Sequence, residues 1–589
     1  MRITRTFAIL LACGLSAAGP SPEAQLSSAQ LSAIDHVRIA ERFRGARHGH
    51  SVLLQRLLIA ASVATPASAA LPIPLFNDLT KSSFPLTTRN PRARRYFSQG
   101  LLFNYGFNHS GAVRSFREAQ RLDRDCAMCW WGEALALGPN INAPMDSRDR
   151  NAALDAADKA MALRAQASPL ERALVEAVTK RYSRDPKADR AGLDSAYADA
   201  MLDVARRFPS DDDVAVLAAE AVMDTRPWNY WDTDKRTPLG RIAEALRLVE
   251  TVMTRNPTHL QASHLYVHLL EASDPERAEA AADRLAKPLV PSAGHLVHMP
   301  SHIYHLRGRY ADAIRVNIAA ARSDEAFIRS AGDSSLVRYG YYPHNIHFIV
   351  TSAQMAGDMK TAINEARRLR AVLDPATSAR IAWIQAIDAA PFLAMAQFAS
   401  PDAILAMPAP DARLPYAVAM RHYARAVAYA ERRDRAAFAS EISTLNVLKS
   451  SSEFSTMIEQ GVPAPDLLSL AEAVARGRFA TALGQRAEAI DLFRQAVAIE
   501  ARIPYQEPPY WYYPVQQSLG AALFLDGRHK EASEAFRLAL VQTPNNGWAL
   551  YGLARSEAAQ GHQRESAAAK AAMTRAWLGS SEWLRMERL

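Results

Sequence analysis

Eight of the sixteen histidines lie between residues 264 and 347, a stretch in which even spacing would place about two. His264 and His268 are four residues apart, as are His298 and His302, so each pair occupies one face of a helix. The second pair follows the first at an offset of 34 residues, which sets the same imidazoles on successive structural units. Neutral imidazole is the commonest protein ligand for transition metals, and so many rings gathered without an ion would form a costly, partly desolvated cluster. The expected chemistry is binding of Cu, Zn, Fe or Ni, since a groove rich in imidazole and poor in carboxylate does not suit Ca or Mg. The candidate ligands are His264, His268, His298, His302, His344 and His347. His295, His305, Glu271 and Asp224 are further candidates, either as ligands or as groups that orient them. Affinity is expected to weaken as pH falls through about 6.5, where free imidazole protonates. Leu265 stands where an H-E-x-x-H zinc protease needs its Glu base, which excludes that chemistry.

Cys126 and Cys129 form a C-x-x-C pair at the head of a helix, open to a structural disulfide, redox exchange or a soft metal such as copper. Two aromatic segments, Asp224 to Trp231 and Glu507 to Tyr513, could rim a groove or pack between helices. No phosphate-binding glycine loop or serine-nucleophile motif occurs in a supporting context.

The elements that must position these residues are repeats. In a 34-residue helical hairpin, small residues belong at positions 8, 20 and 27 and an aromatic at 24. Gly100, Ala112, Phe116 and Ala119 fit this frame, with Trp130 opening the next unit. Gly477, Ala489, Phe493 and Ala496 fit it again, as do Gly520, Ala532, Phe536 and Ala539, followed by Trp548 and Gly552. Corners between paired helices are expected at Gly308, Gly357, Gly484 and Gly527. The pattern resembles the tetratricopeptide repeat superfamily and implies an all-α, TPR-like α-solenoid. In that register His298, His302 and His305 line the concave groove, as does His347 one unit later. Pro300 either kinks or begins its helix. More narrowly, Cys126-Ala-Met-Cys129-Trp-Trp, His295-Leu-Val-His298-Met-Pro-Ser-His302-Ile-Tyr304, Tyr341-Tyr-Pro-His344-Asn-Ile-His347 and Glu507-Pro-Pro-Tyr-Trp511 resemble a bacterial family of exported repeat proteins, a likeness that implies architecture and no reaction.

The chain of 589 residues is 49% hydrophobic and 22% charged, with 25 Gly and three Cys, which excludes a disordered chain, a collagen and a disulfide scaffold. No apolar run of about 18 residues is free of polar breaks, so no transmembrane span is expected in the mature protein. The net charge of +8 drops to +4 without residues 1–69, leaving no electrostatic case for nucleic acid. Residues 1–69 read as an export region. Cys13 follows a short apolar stretch like a weak lipoprotein signal, while Arg56, Leu57 to Ala64 and Ala67-Ser68-Ala69 make a better signal with an A-x-A cleavage site. Translation from near Val52 would leave 1–51 outside the protein and 52–69 as the signal. The mature chain is then periplasmic or secreted. It divides into an extension at 70–92, N-terminal hairpins at 93–255, a His-rich block at 256–400, degenerate hairpins at 401–469 and C-terminal repeats at 470–589. Two functions remain: a metalloenzyme acting on a small substrate in the groove, or a non-catalytic scaffold that grips a peptide there. The usual peptide clamp needs Lys, Arg and Asn where this groove carries His.

Overall fold

The computed structural model describes residues 72–589 apart from 80, 81, 83, 288 and 289, so the export region expected at 1–69 lies outside the described residues. Helices follow one another from Pro91–Tyr105 to Gln563–Ala576, and the described residues hold no β-strand, only the isolated bridges Asn140–Ala143 and Trp231–Pro238. Local chemistry sets the boundaries. The Asn90 side chain accepts from the N–H groups of Arg92 and Ala93, and Ser168 with Glu171 closes a reciprocal capping box. The expected corners Gly308, Gly357, Gly484 and Gly527 all turn with φ between 71° and 79°, where glycine bears no Cβ penalty.

Packing confirms the repeat register. Phe116 lies between Gly100 and Gly132, Phe493 against Gly477, and Phe536 between Gly520 and Gly552. Small residues let the hairpins close onto these rings, which are nearly inaccessible. One position moves: Gly132 takes the close-approach role two residues before simple counting puts it, and Trp131 is the buried indole. Trp130 is only half-buried, its Nε1 near the carbonyl of Arg124. A Cβ at Gly552 would stand 2.1 Å from the Phe536 ring. Gly552→Ala should therefore cost about 1–3 kcal/mol through overpacking, read as a lower denaturation midpoint at constant slope. A loss below about 0.5 kcal/mol would mean that the helices do not meet there.

Two hydrophobic cores meet in the middle of the His-rich block. One runs from Ile73 to Tyr341 and the other from Tyr310 to Leu589, with helix Tyr310–Ala331 contributing to both. The C-terminal hairpins return to this seam. Trp548 Nε1 donates to the carbonyl of Gln354 at 2.9 Å, and the Leu578 N–H to that of Ala356 at 2.9 Å. The segment between helices Arg486–Glu500 and Gln516–Leu525 lies over the imidazole face, so the expected groove is covered from within the chain.

Candidate metal centre

Helix Leu260–Leu270 carries His264 and His268 one turn apart, with ring centroids 4.8 Å from each other. The next hairpin divides its histidines between Gly294–His298 and Pro300–Leu306. Pro300 begins the second piece, as one of its two expected roles allows. Met299 keeps helical dihedrals at the junction, so the row of rings continues: His295 lies 5.9 Å from His298, and His298 lies 4.8 Å from His302. A π-turn at Val337–Tyr341 leads into helix Tyr342–Ala356, which supplies His344 and His347.

The donors fall into three groups, in each of which one ligand atom per residue lies within 4.8 Å of the others. The groups are His264, His268 and His295; His298, His302 and His344; and Glu271, His302 and Glu507. Hydrogen bonding separates the first two. Gln261 donates Nε2–H to Glu220 at 3.0 Å, so its Oε1 faces His264 Nδ1 at 3.1 Å and accepts a hydrogen bond from it. Glu271 Oε1 accepts from His268 Nδ1 at 3.2 Å. Both rings are thereby held as the tautomer with a bare Nε2, and these two Nε2 atoms and both nitrogens of His295 have no hydrogen-bond partner. In the second triad His298 and His302 are already hydrogen-bonded. Asn317 donates to the Ala313 carbonyl, its Oδ1 accepts from His298 Nδ1 at 2.6 Å, and His298 Nε2 accepts from His302 Nε2 at 2.9 Å. His302 Nδ1 in turn donates to Glu507 Oε2 at 2.5 Å.

Charge follows the same division. Burial drives His264 and His295 well below the ordinary imidazole value, with neighbouring imidazoles adding to the effect and the Tyr105 backbone partly offsetting it at His264. Burial lowers His268 as well, partly offset by Glu271. The first triad is therefore neutral at physiological pH. Burial alone would lower His302, but Glu271 and Glu507 reverse this and push it up to about 10. Burial favours the neutral acid of Glu271, yet His302 and His268 hold it down at about 2, while burial and the charge of Glu271 push Glu507 up to about 7.

Aromatic rings enclose the first triad. Phe107 lies 4.6, 5.8 and 5.3 Å from His264, His268 and His295, Trp228 lies 5.0 Å from His268, and Tyr341 lies 4.7 Å from His295. Phe107 and Trp228 have φ of 54° and 63°, so the backbone bears strain at two walls of the site, about 1–3 kcal/mol each. A narrow cavity with room for a molecule of water size borders His295, Asp324 and Tyr341.

Most of the expected residues converge, and His295 proves to be a full member of the first triad. His347 does not join the groups: its Nε2 meets the Tyr512 hydroxyl at 2.6 Å. His305 Nδ1 meets Ser352 Oγ at 3.1 Å, also outside them. Asp224 corrects a further expectation, because it pairs with Arg181 at 2.7 Å in another buried cluster. Cys126 and Cys129 form a disulfide, both buried against the N-terminal core. Glu507 was missed as a donor. It is 205 residues from His302, and its Glu-Pro-Pro-Tyr context signals only an irregular aromatic segment.

No protein-family profile matches the chain, and no curated protein matches it in sequence. Among solved structures it is similar to the human IFIT1 dimer with m7Gppp-AAAA at 11% identity and a TM-score of 0.32, over 86% of this chain and 96% of that one. It is also similar to the P58(IPK) TPR domain at 13% identity and a TM-score of 0.20, over 80% and 99%. The described residues form an all-α helical-repeat protein whose central hairpins gather histidine and glutamate side chains that could hold a metal. No helix among the described residues is long and apolar enough to cross a membrane.

Proposed function

We propose that this protein is an exported metal-binding repeat protein that holds a Cu, Zn, Fe or Ni ion at His264, His268 and His295. One observation carries the reading: three buried imidazoles face one another with bare, unpartnered nitrogens, two of them held in the ligating tautomer by Gln261 and Glu271. Leaving several such nitrogens desolvated and unpaired costs about 1–3 kcal/mol each, a penalty that a bound cation removes. Three neutral imidazoles also leave coordination positions for water or substrate, as catalytic sites of this donor type do. The narrow cavity beside His295 has room for one water molecule at such an open position. A peptide in the groove would first have to displace Glu507 and Tyr512 from His302 and His347. Protein purified without chelators should carry at least one equivalent of these metals by elemental analysis. A metal-free chain that takes up none of them on titration would overturn the reading.

The resemblance to exported bacterial repeat proteins and the A-x-A site support a periplasmic or secreted location, where the Cys126–Cys129 disulfide is stable. Intact-mass analysis of exported protein should place its first residue at or near Ala70. Retention of residues 20–60 would reject that assignment.

A further inference from the structure

Glu271 and Glu507 bring two carboxylates to one imidazole nitrogen. Glu507 Oε2 lies 2.5 Å and Glu271 Oε2 2.8 Å from His302 Nδ1, with the Glu271, His302 and Glu507 side chains only 1, 6 and 8% exposed. A single N–H makes one strong hydrogen bond, and here it goes to Glu507. Glu271 Oε2 approaches the same nitrogen without hydrogen-bond geometry, and Glu507 Oε1 has no partner either. Two buried carboxylates that share one proton are short of both positive charge and donors. A divalent cation supplies the charge and accepts lone pairs from several oxygens at once, which a proton cannot do.

We propose that Glu271, His302 and Glu507 form a second divalent-cation site. Together with the ion of the first triad this makes a dinuclear centre, and that part rests on the function proposed above. Glu271 would serve both ions, one oxygen orienting His268 and the other ligating the second cation. The ligand set is consistent with the hydrogen bonds already present. His302 keeps its Nε2–H on His298, so loss of the Nδ1 proton to solvent frees the nitrogen that faces the carboxylates. Binding of each ion at this site therefore releases at least one proton. Two oxygens and one nitrogen favour Mn, Fe or Zn over softer copper, so the two sites differ in preference. Glu507 comes from the segment that covers the imidazole face, and the second ion would therefore fasten the C-terminal hairpins to the central ones.

Titration calorimetry of the full chain with Zn²⁺ and with Mn²⁺, supported by elemental analysis, tests this. The wild type should bind two Zn²⁺ per chain, Glu507→Gln one and His295→Ala one, with Mn²⁺ affinity at least a hundredfold lower in Glu507→Gln and unchanged in His295→Ala. One ion in the wild type, indifferent to Glu507→Gln and lost in His295→Ala, would overturn the second site and leave the first standing. One ion kept by His295→Ala and lost by Glu507→Gln would establish the carboxylate site and refute the triad. No ion in the wild type would refute both. Should Glu507→Gln lose its helical dichroism, anomalous scattering from Mn²⁺-soaked wild-type crystals decides, since the absence of a peak among the three side chains overturns the proposal.

Discussion

Replacing His264 and His268 together with Ala should abolish binding at the first triad, lowering affinity by more than about 10⁴-fold while leaving the helical dichroism intact. Structural zinc sites of four ligands bind with about 10–16 kcal/mol, so each ligand contributes on the order of 3 kcal/mol, and two of the three are removed. Both rings lie within the N-terminal core, and truncation leaves a cavity as well as a missing ligand, so a lower melting temperature should accompany the loss. Gln261→Ala should weaken binding about 10–100-fold, because Gln261 touches no ion and only fixes the His264 tautomer. His422, His529 and His562 lie outside the groups, His422 and His562 on Glu441 and Glu557, and their replacement should leave metal content unchanged. Retention of metal in the double variant would refute the triad.

The pH dependence expected from free imidazole shifts downward. Burial lowers the folded-state pKa of His264, His268 and His295, so protons compete with the ion only below about 6.5, rather than through it. The linkage sign agrees. A histidine whose folded pKa is depressed contributes stability that is fully present above its unfolded value and is lost as pH falls below it. Metal-free protein should therefore lose stability in acid below about pH 6.5, and bound metal should move that loss to lower pH.

Arg181→Met should destabilise the protein by about 3–5 kcal/mol. Arg181 and Asp224 are each 3% exposed, and the guanidinium also donates to the carbonyls of Leu135 and Pro139 and lies over the Tyr197 ring. Removing it leaves Asp224 and Glu220 buried against reduced positive charge, and burial already raises the pKa of both, that of Glu220 to about 7. A carboxyl with a raised folded pKa gives stability that is present below its unfolded value and lost as pH rises through the folded one. The deficit of the variant should therefore be largest at neutral pH and shrink toward about pH 4. Arg181→Met combined with Asp224→Leu should recover most of the loss, since replacing both partners removes the uncompensated charge. Equal stability of the single variant and the wild type in urea would contradict the ion pair.

Sequence spacing by itself determined the repeat class, the corners at Gly308, Gly357, Gly484 and Gly527, and the seating of Phe116, Phe493 and Phe536 on small residues. These features come from contacts between neighbouring hairpins, so a 34-residue period records them directly. The same reasoning found His264, His268, His298 and His302, because four-residue spacing places each pair on one face of a helix. Tertiary structure alone decided how the imidazoles divide: His295 joins His264 and His268, while His347 turns to Tyr512 and Asp224 to Arg181. It also brought Glu507 across 205 residues to His302. A period describes only adjacent units, whereas these choices depend on where the C-terminal hairpins fold back and on which nitrogen each neighbouring carboxylate or amide holds. Neither the long-range closure nor the tautomers leave a trace in local spacing.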